Sequence, residues 1–276
     1  MVFFNWLNKK SDSESRELDI TRESDFSNFK KVTDFIYEKS GITDLDKRAL
    51  TSSRTQQYAI DEGIYTTDEF LSKMNNDHQF YQEIINIVTV NETFFLRELK
   101  ELEWLVAYIK SSTKHFKILS MPSSSGEEIY SILLLLCEAG VDISRIEISG
   151  YDINSDAIAE AQRGEYDGHS LHKIDNQTKH KYFNEVDNYY QVIATLREKP
   201  KFEQINIFDL HNEKNKYDIV LSRNMFIYFD NEKREKALSI IVNLLKTDGI
   251  YIKGHADHIQ KHPNLDSIEY GIYKKV

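Results

Sequence analysis

A single cysteine, Cys137, stands in 276 residues, so the chain holds no internal disulfide and no cysteine-built zinc cluster. Proline is scarce, with only Pro122, Pro200 and Pro263, and glycine numbers ten, which excludes collagenous and low-complexity architectures. Positive charge is outweighed. Against 45 Asp and Glu there are 35 Lys and Arg, a formal charge of −10, so a nucleic-acid partner, which needs many cations on phosphates, is not expected. No apolar run approaches the ~18 to 20 residues of a membrane span, and residues 1–7 lack the preceding basic stretch of a signal peptide. These absences predict a soluble cytoplasmic protein in a reducing compartment, not inserted in a membrane; they leave the oligomeric state open, a monomer included.

What is present is a globular composition: 40% apolar, 12% aromatic and 29% charged residues. Residues 8–25 are polar, Ser-rich and of mixed charge, so 1–25 reads as a flexible tail carrying the aromatic tip Phe3, Phe4 and Trp6. From Phe26 to about residue 90, apolar residues recur at helical spacing (Phe26, Phe29, Val32, Phe35, Ile36). Helices are expected up to Gly41, then over about 43–61, 67–75 and 77–89, with Gly63 as a further stop. A linker, 91–112, carries a longer helix at about 95–111.

From residue 113 the period changes. Apolar runs at 116–121, 145–151, 217–222 and 249–253 alternate with helical stretches at 126–139, from Asn154, and at 231–246. That alternation predicts an α/β fold, a doubly wound parallel Rossmann-like sheet, with ligands at the carboxyl ends of its strands. The alternation fails at about 167–200, where the β-rich stretch 189–195 suggests an inserted loop or small β-hairpin.

The first strand-to-helix turn, residues 120–128 (SMPSSSGEE), lacks the three-glycine fingerprint of a pyrophosphate site. Taken alone, its two acids are a dipole-matched helix start. The second strand ends in Gly150-Tyr-Asp152, and an acid there accepts hydrogen bonds from ribose hydroxyls. Asn154 or Ser155 is better placed than Asp152 to cap the following helix. An acid without a preceding phosphate turn fits an adenosine ligand lacking phosphates, and S-adenosylmethionine is the common one. Arg223 and Asn224 close a third apolar strand, either capped and solvated or turned to a ligand. His255, His258 and His262 follow a strand as loop without a helical register, so no metal is expected there.

Four blocks in order, 89–98 (TVNETFFLRE), 123–131 (SSSGEEIYS), 150–154 (GYDIN) continuing to 161–166 (AQRGEY), and 222–229 (SRNMFIYF) continuing to 244–249 (LLKTDG) and Gly254-His255, cover about residues 26–275. Together they resemble the CheR family of chemotaxis receptor methyltransferases. The resemblance implies an N-terminal helical substrate-docking domain at 26–90, the 91–112 linker, and at 113–276 an S-adenosylmethionine-dependent domain with an inserted β-subdomain. It implies cofactor contacts at Asn91, Thr93, Arg97, Glu128, Asp152, Asn206, Ile207, Arg223 and Asn224, and catalytic roles for Arg97 and Tyr228. It also implies the reaction, methyl transfer to glutamate side chains in the cytoplasmic region of methyl-accepting chemotaxis receptors. Three positions depart from the family pattern: Leu96 for the usual second Phe, Pro122 for a small residue, and Ile129 for Pro.

Lys39, Lys47, Arg48 and Arg54 against Asp44 and Asp46 give residues 39–60 a local excess of positive charge, either a solvated helix face or a docking face for an acidic helix. The segment 184–188 (NEVDN) is short and lacks glycine, so capture of a receptor peptide on the insertion is not favoured. Two other functional readings stay open from sequence: a methyltransferase acting on another protein or a small molecule, and an idle module that binds cofactor or receptor without turnover.

Overall fold

The computed structural model describes residues 23–43 and 49–276. Most of the tail and residues Asp44, Asp46, Lys47 and Arg48 of the candidate docking face therefore lie outside the described residues. Four helices form the N-terminal unit: α1 (Lys30–Ser40), α2 (Ala49–Asp61), α3 (Thr67–Asn76) and α4 (His78–Val88). Their starts and stops are written locally. Thr66 and Glu69 make a reciprocal capping box at α3, Asp77 accepts the Phe80 N–H at α4, and Gly41 takes φ 76° to end α1. The apolar faces meet around Val32, Ile36, Phe70, Ile84 and Ile85, with Phe29 edge-on to Phe70 at 5.9 Å. Asp25 bridges to Thr66, so the helical unit already holds that residue.

The linker helix α5 (Leu99–Lys110) starts four residues later than its periodicity suggests. The Phe95 N–H donates to the Ser170 carbonyl and the Leu96 N–H to Ser131 Oγ, and Leu96 and Glu98 take φ of 59° and 50°. These outside partners draw the 95–98 backbone off the helical path.

The second unit runs β1 (Phe116–Ser120), α6 (Glu127–Glu138), β2 (Ile146–Asp152), α7 (Ser155–Arg163), β3 (Glu165–Tyr166), α8 (Asn176–Tyr182), β4 (Phe183–Val186), β5 (Tyr189–Val192), α9 (Ala194–Arg197), β6 (Lys201–Gln204), β7 (Tyr217–Ser222), α10 (Asn231–Leu244), β8 (Leu245–Lys253), β9 (Leu265–Glu269) and β10 (Ile272–Lys275). One seven-stranded sheet has the order β6-β2-β1-β7-β8-β10-β9, and a three-stranded sheet has the order β3-β5-β4. The first five strands of the large sheet are parallel, with Ser120 level with Gly150 and Ile118 with Ile219. The expected parallel sheet is thus extended by an antiparallel hairpin, β9 and β10, at one edge.

Strand side chains alternate between two cores. Ile118, Ile219, Leu221, Ile250 and Ile252 pack with α5, α6 and α7, while Leu119, Val220 and Tyr251 pack with α10. Both faces are covered, which is why these strands read as unbroken apolar runs. The small sheet occupies the 167–200 interval as an insertion, with Glu165 and Tyr166 contributing its first strand. Asp187 at φ 54° supplies the tight β4–β5 turn that glycine often fills. From β1 the chain proceeds outward to β2 and β6, then returns to β7 on the other side. The order therefore reverses beside β1, and the crevice at the carboxyl ends opens there.

Candidate active site

All ten sequence-nominated residues line one cleft at that reversal: Asn91, Thr93, Arg97, Glu128, Asp152, Asn206, Ile207, Arg223, Asn224 and Tyr228. Its floor is the β1–α6 turn and the ends of β2, β6 and β7. Its roof is the 89–94 linker with Ser40 and Ile42 of the helical unit. Counting its solvent-open mouth, the cleft encloses about 1230 Å³.

Asp152 is 4% exposed and held from two sides: Oδ2 accepts the Ser124 N–H at 2.8 Å and Oδ1 the Asn154 N–H at 2.9 Å. Burial pushes its carboxyl up to about 6, against the opposing pull of backbone N–H groups from Asn154, Ser124 and Ile153. Asn154 meanwhile caps α7 through the Ala157 N–H, which leaves Asp152 free of capping duty. A carboxylate has about four acceptor positions, so two remain for a ligand.

Arg223 is 6% exposed at the end of β7. Nη1 reaches Glu128 Oε2 at 2.5 Å, Nη2 the Arg97 carbonyl at 2.5 Å and Glu98 Oε2 at 3.2 Å, and Nε the same Glu98 oxygen at 3.3 Å. Burial works against its charge, but Glu128 and Glu98 outweigh it and keep the guanidinium raised. Its donors are largely consumed inside the protein, one of them fixing Glu128 at the cleft. Glu128 is further fixed by Ser120 Oγ at 2.8 Å.

Asn224 sits at φ 61°, a left-handed conformation. Sequence reasoning missed the residue that holds it there. Asp257 is fully buried: Oδ2 accepts the N–H groups of Asn224 at 2.6 Å and Gly254 at 3.2 Å, and Oδ1 that of Phe226 at 2.9 Å. Glu98 was missed as well. The signal available was the buried Arg223, since a cation closing an apolar strand needs carboxylates around it.

Tyr228 Oη donates to the Val90 carbonyl at 2.9 Å, and its own carbonyl accepts from Thr43. Asn206 donates Nδ2 to the Lys39 carbonyl at 2.9 Å while Oδ1 accepts the Phe208 N–H. Both residues therefore tie roof to floor. Arg97 Nη1 donates to the Glu92 carbonyl at 2.6 Å. Among the described residues, His255 meets two carboxylates, Glu101 at 2.5 Å and Glu98, whereas His258 and His262 do not join that group.

The family profile described as CheR methyltransferase, SAM binding domain matches residues 91–271. The chain belongs to the CheR methyltransferase family. It is accordingly an S-adenosylmethionine-dependent methyltransferase. Similar proteins include the chemotaxis protein methyltransferase of Campylobacter jejuni, 36% identical over 86% of this chain and 89% of that protein. Chemotaxis protein methyltransferase 2 of Vibrio cholerae is 31% identical over 88% of each. The chemotaxis protein methyltransferase of Borreliella burgdorferi is 27% identical over 98% of this chain and all of that protein.

The cleft fits the cofactor on its own chemistry. Ser123 Oγ and Ser124 Oγ are buried in its floor without a hydrogen-bond partner among the described residues, which a polar ligand group would satisfy. Gly126, at φ 93°, has no room for a Cβ: Ala161, Tyr166 and Phe202 would stand 3.0 to 3.2 Å from it. That tight turn keeps the serine backbone against Asp152. No helix among the described residues is long and apolar enough to cross a membrane.

Proposed function

We propose that this CheR-family enzyme methylates glutamate side chains in the cytoplasmic region of chemotaxis receptors, working as a monomer in the cytoplasm. The observation that carries the reading is the convergence of Asp152, Glu128, Asn224, Arg97 and Tyr228 on one cleft whose floor has no phosphate-binding turn. S-adenosylmethionine supplies an electrophilic methyl group when bound. Asp152 would hold the ribose hydroxyls, Glu128 the polar end of the cofactor, and Asn206 and Ile207 the base. Asn91, Thr93 and Asn224 close the site around it.

A glutamate with an ordinary pKa of about 4.3 is ionised at pH 7, so the enzyme needs no general base. Its residues contribute alignment, which supplies roughly 7 to 11 kcal/mol in well-oriented systems. A carboxylate and a sulfonium neutralise each other during transfer, so strong hydrogen bonds to the attacking oxygen would favour the ground state. Arg97 and Tyr228 therefore orient the substrate carboxylate. Lys39 and Arg54 on the helical unit, both exposed, contribute to docking of an acidic helix.

Transfer of a radiolabelled methyl group to receptor-rich membranes tests the reading. The expected product is a base-labile ester on the receptors; label that stays on protein after base treatment, or enters only small molecules, would overturn it.

A further inference from the structure

Where the linker meets the insertion there is a cluster of basic side chains, of which only Arg97 belongs to the site described above. The Phe94 side chain lines the cleft. Around its ring stand Lys173 Nζ at 4.7 Å from the centroid, the His172 imidazole at 4.8 Å and the Arg97 guanidinium at 5.8 Å. The His169 ring stacks on His172 at 5.7 Å.

The segment presenting these groups is anchored. Asp167 Oδ1 accepts the Ser170 N–H at 2.9 Å, and the Ser170 carbonyl accepts the Phe95 N–H at 3.0 Å. Leu171 and Ile174 are buried beneath it, leaving His169, His172 and Lys173 exposed. Among the described residues no carboxylate is in ion-pair contact with Arg97, Lys173, His169 or His172. Of the acids on the same segments, Glu98 is spent on Arg223 and Asp175 on the cap of α8. In a chain with ten excess negative charges, an exposed lysine held at the rim of a cleft, without an acidic partner among the described residues, calls for an anion from outside.

We propose that Lys173, held against Phe94 at the rim of the cleft, receives a second carboxylate of the protein substrate, on the same helix as the target glutamate, and so selects which glutamates are methylated. This inference rests on the receptor-glutamate reading above. Side chains three or four apart on a helix lie about 5 to 6 Å from each other, and two turns span about 11 Å, so an acid within about seven residues of the target reaches the cluster. An exposed pair of this kind changes a rate by roughly two- to fivefold and weakens with salt.

The test is a charge-swap cycle using the full-length enzyme and a receptor cytoplasmic fragment. Each acidic neighbour within about seven residues of the methylated glutamate is replaced by Gln and by Lys. Wild-type kcat/KM is expected to fall roughly two- to fivefold for one of these positions. Lys173→Glu is expected to lose a similar factor on the native fragment, to recover on the fragment carrying Lys at that position, and to bind S-adenosylhomocysteine unchanged. Equal kcat/KM for wild type and Lys173→Glu on every fragment, or a loss independent of neighbouring charge, would overturn the inference. If the wild-type enzyme binds S-adenosylhomocysteine but forms no ester on any fragment, the receptor-glutamate reading itself fails, and the selection built on it goes with it.

Discussion

Asp152 carries its charge against the preference of its surroundings. Its carboxyl is raised by burial to about 6, from 3.8 in the open chain, so between those values the folded protein holds a proton that the unfolded chain has lost. Raising the pH through that window therefore costs stability, by roughly 3 kcal/mol for the full gap. Glu127, raised by burial to about 7, acts in the same direction without lining the cleft. The ionised form of Asp152 is the one that would accept from ribose hydroxyls in the proposed site. Affinity for S-adenosylhomocysteine should accordingly be level above pH 6 and fall by up to about tenfold per pH unit below it. Calorimetry from pH 5 to 8 checks this, with Asp152→Ala expected to abolish binding; tight binding by that variant would remove Asp152 from the site. Tyr228→Phe loses the bond to the Val90 carbonyl and, with it, the hydroxyl proposed to orient the substrate carboxylate. Turnover should drop by about ten- to a hundredfold with cofactor affinity little changed, since orientation of the nucleophile is what it supplies. Unchanged turnover with only a raised cofactor KM contradicts that role. Asp152 could be nominated from the residues alone because it ends an apolar run, whereas Tyr228, six residues beyond the end of β7, was nominated only by the family resemblance. Glu98 and Asp257 were not legible, because their partners Arg223 and Asn224 lie far along the chain and only folding brings them together.

The elements that position the site are short and tightly held. β7 ends at Ser222, and the next residues turn under the control of Asp257, which reaches back from the loop after β8. Asp257→Ala leaves the buried N–H groups of Asn224 and Phe226 without a partner, at about 1 to 3 kcal/mol each. The expected result is a melting temperature lowered by several degrees together with weaker S-adenosylhomocysteine binding, because Asn224 leaves its left-handed conformation. A variant with lowered stability but wild-type affinity would show that this loop does not shape the cofactor site. Strands β1, β2 and β7 could be read directly, since burial on both faces makes them continuous apolar runs. β6, β9 and β10 could not. Lys201–Gln204 and Leu265–Glu269 each bury one side chain, so the sequence carries no alternation to find. The start of α5 was misplaced for a different reason: periodicity reports a face, not the outside bonds that pull Phe95 and Leu96 out of the helix.

At the scale of the molecule, two units share one cleft. Asn86 on α4 bonds both the N–H and the hydroxyl of Ser155 and its neighbour Gln82 donates to the Ile153 carbonyl, immediately after Asp152. The helical unit is therefore the roof of the site, a duty that composition and spacing do not announce. The reversal of strand order beside β1, roofed by that unit, is the place proposed for the adenosyl cofactor. The crystal structure of the S-adenosylhomocysteine complex measures it most directly. The ribose hydroxyls are predicted on Asp152, with the amino acid end beside Glu128 and Asn224. A nucleoside bound away from the ends of β1, β2 and β7 would contradict the account.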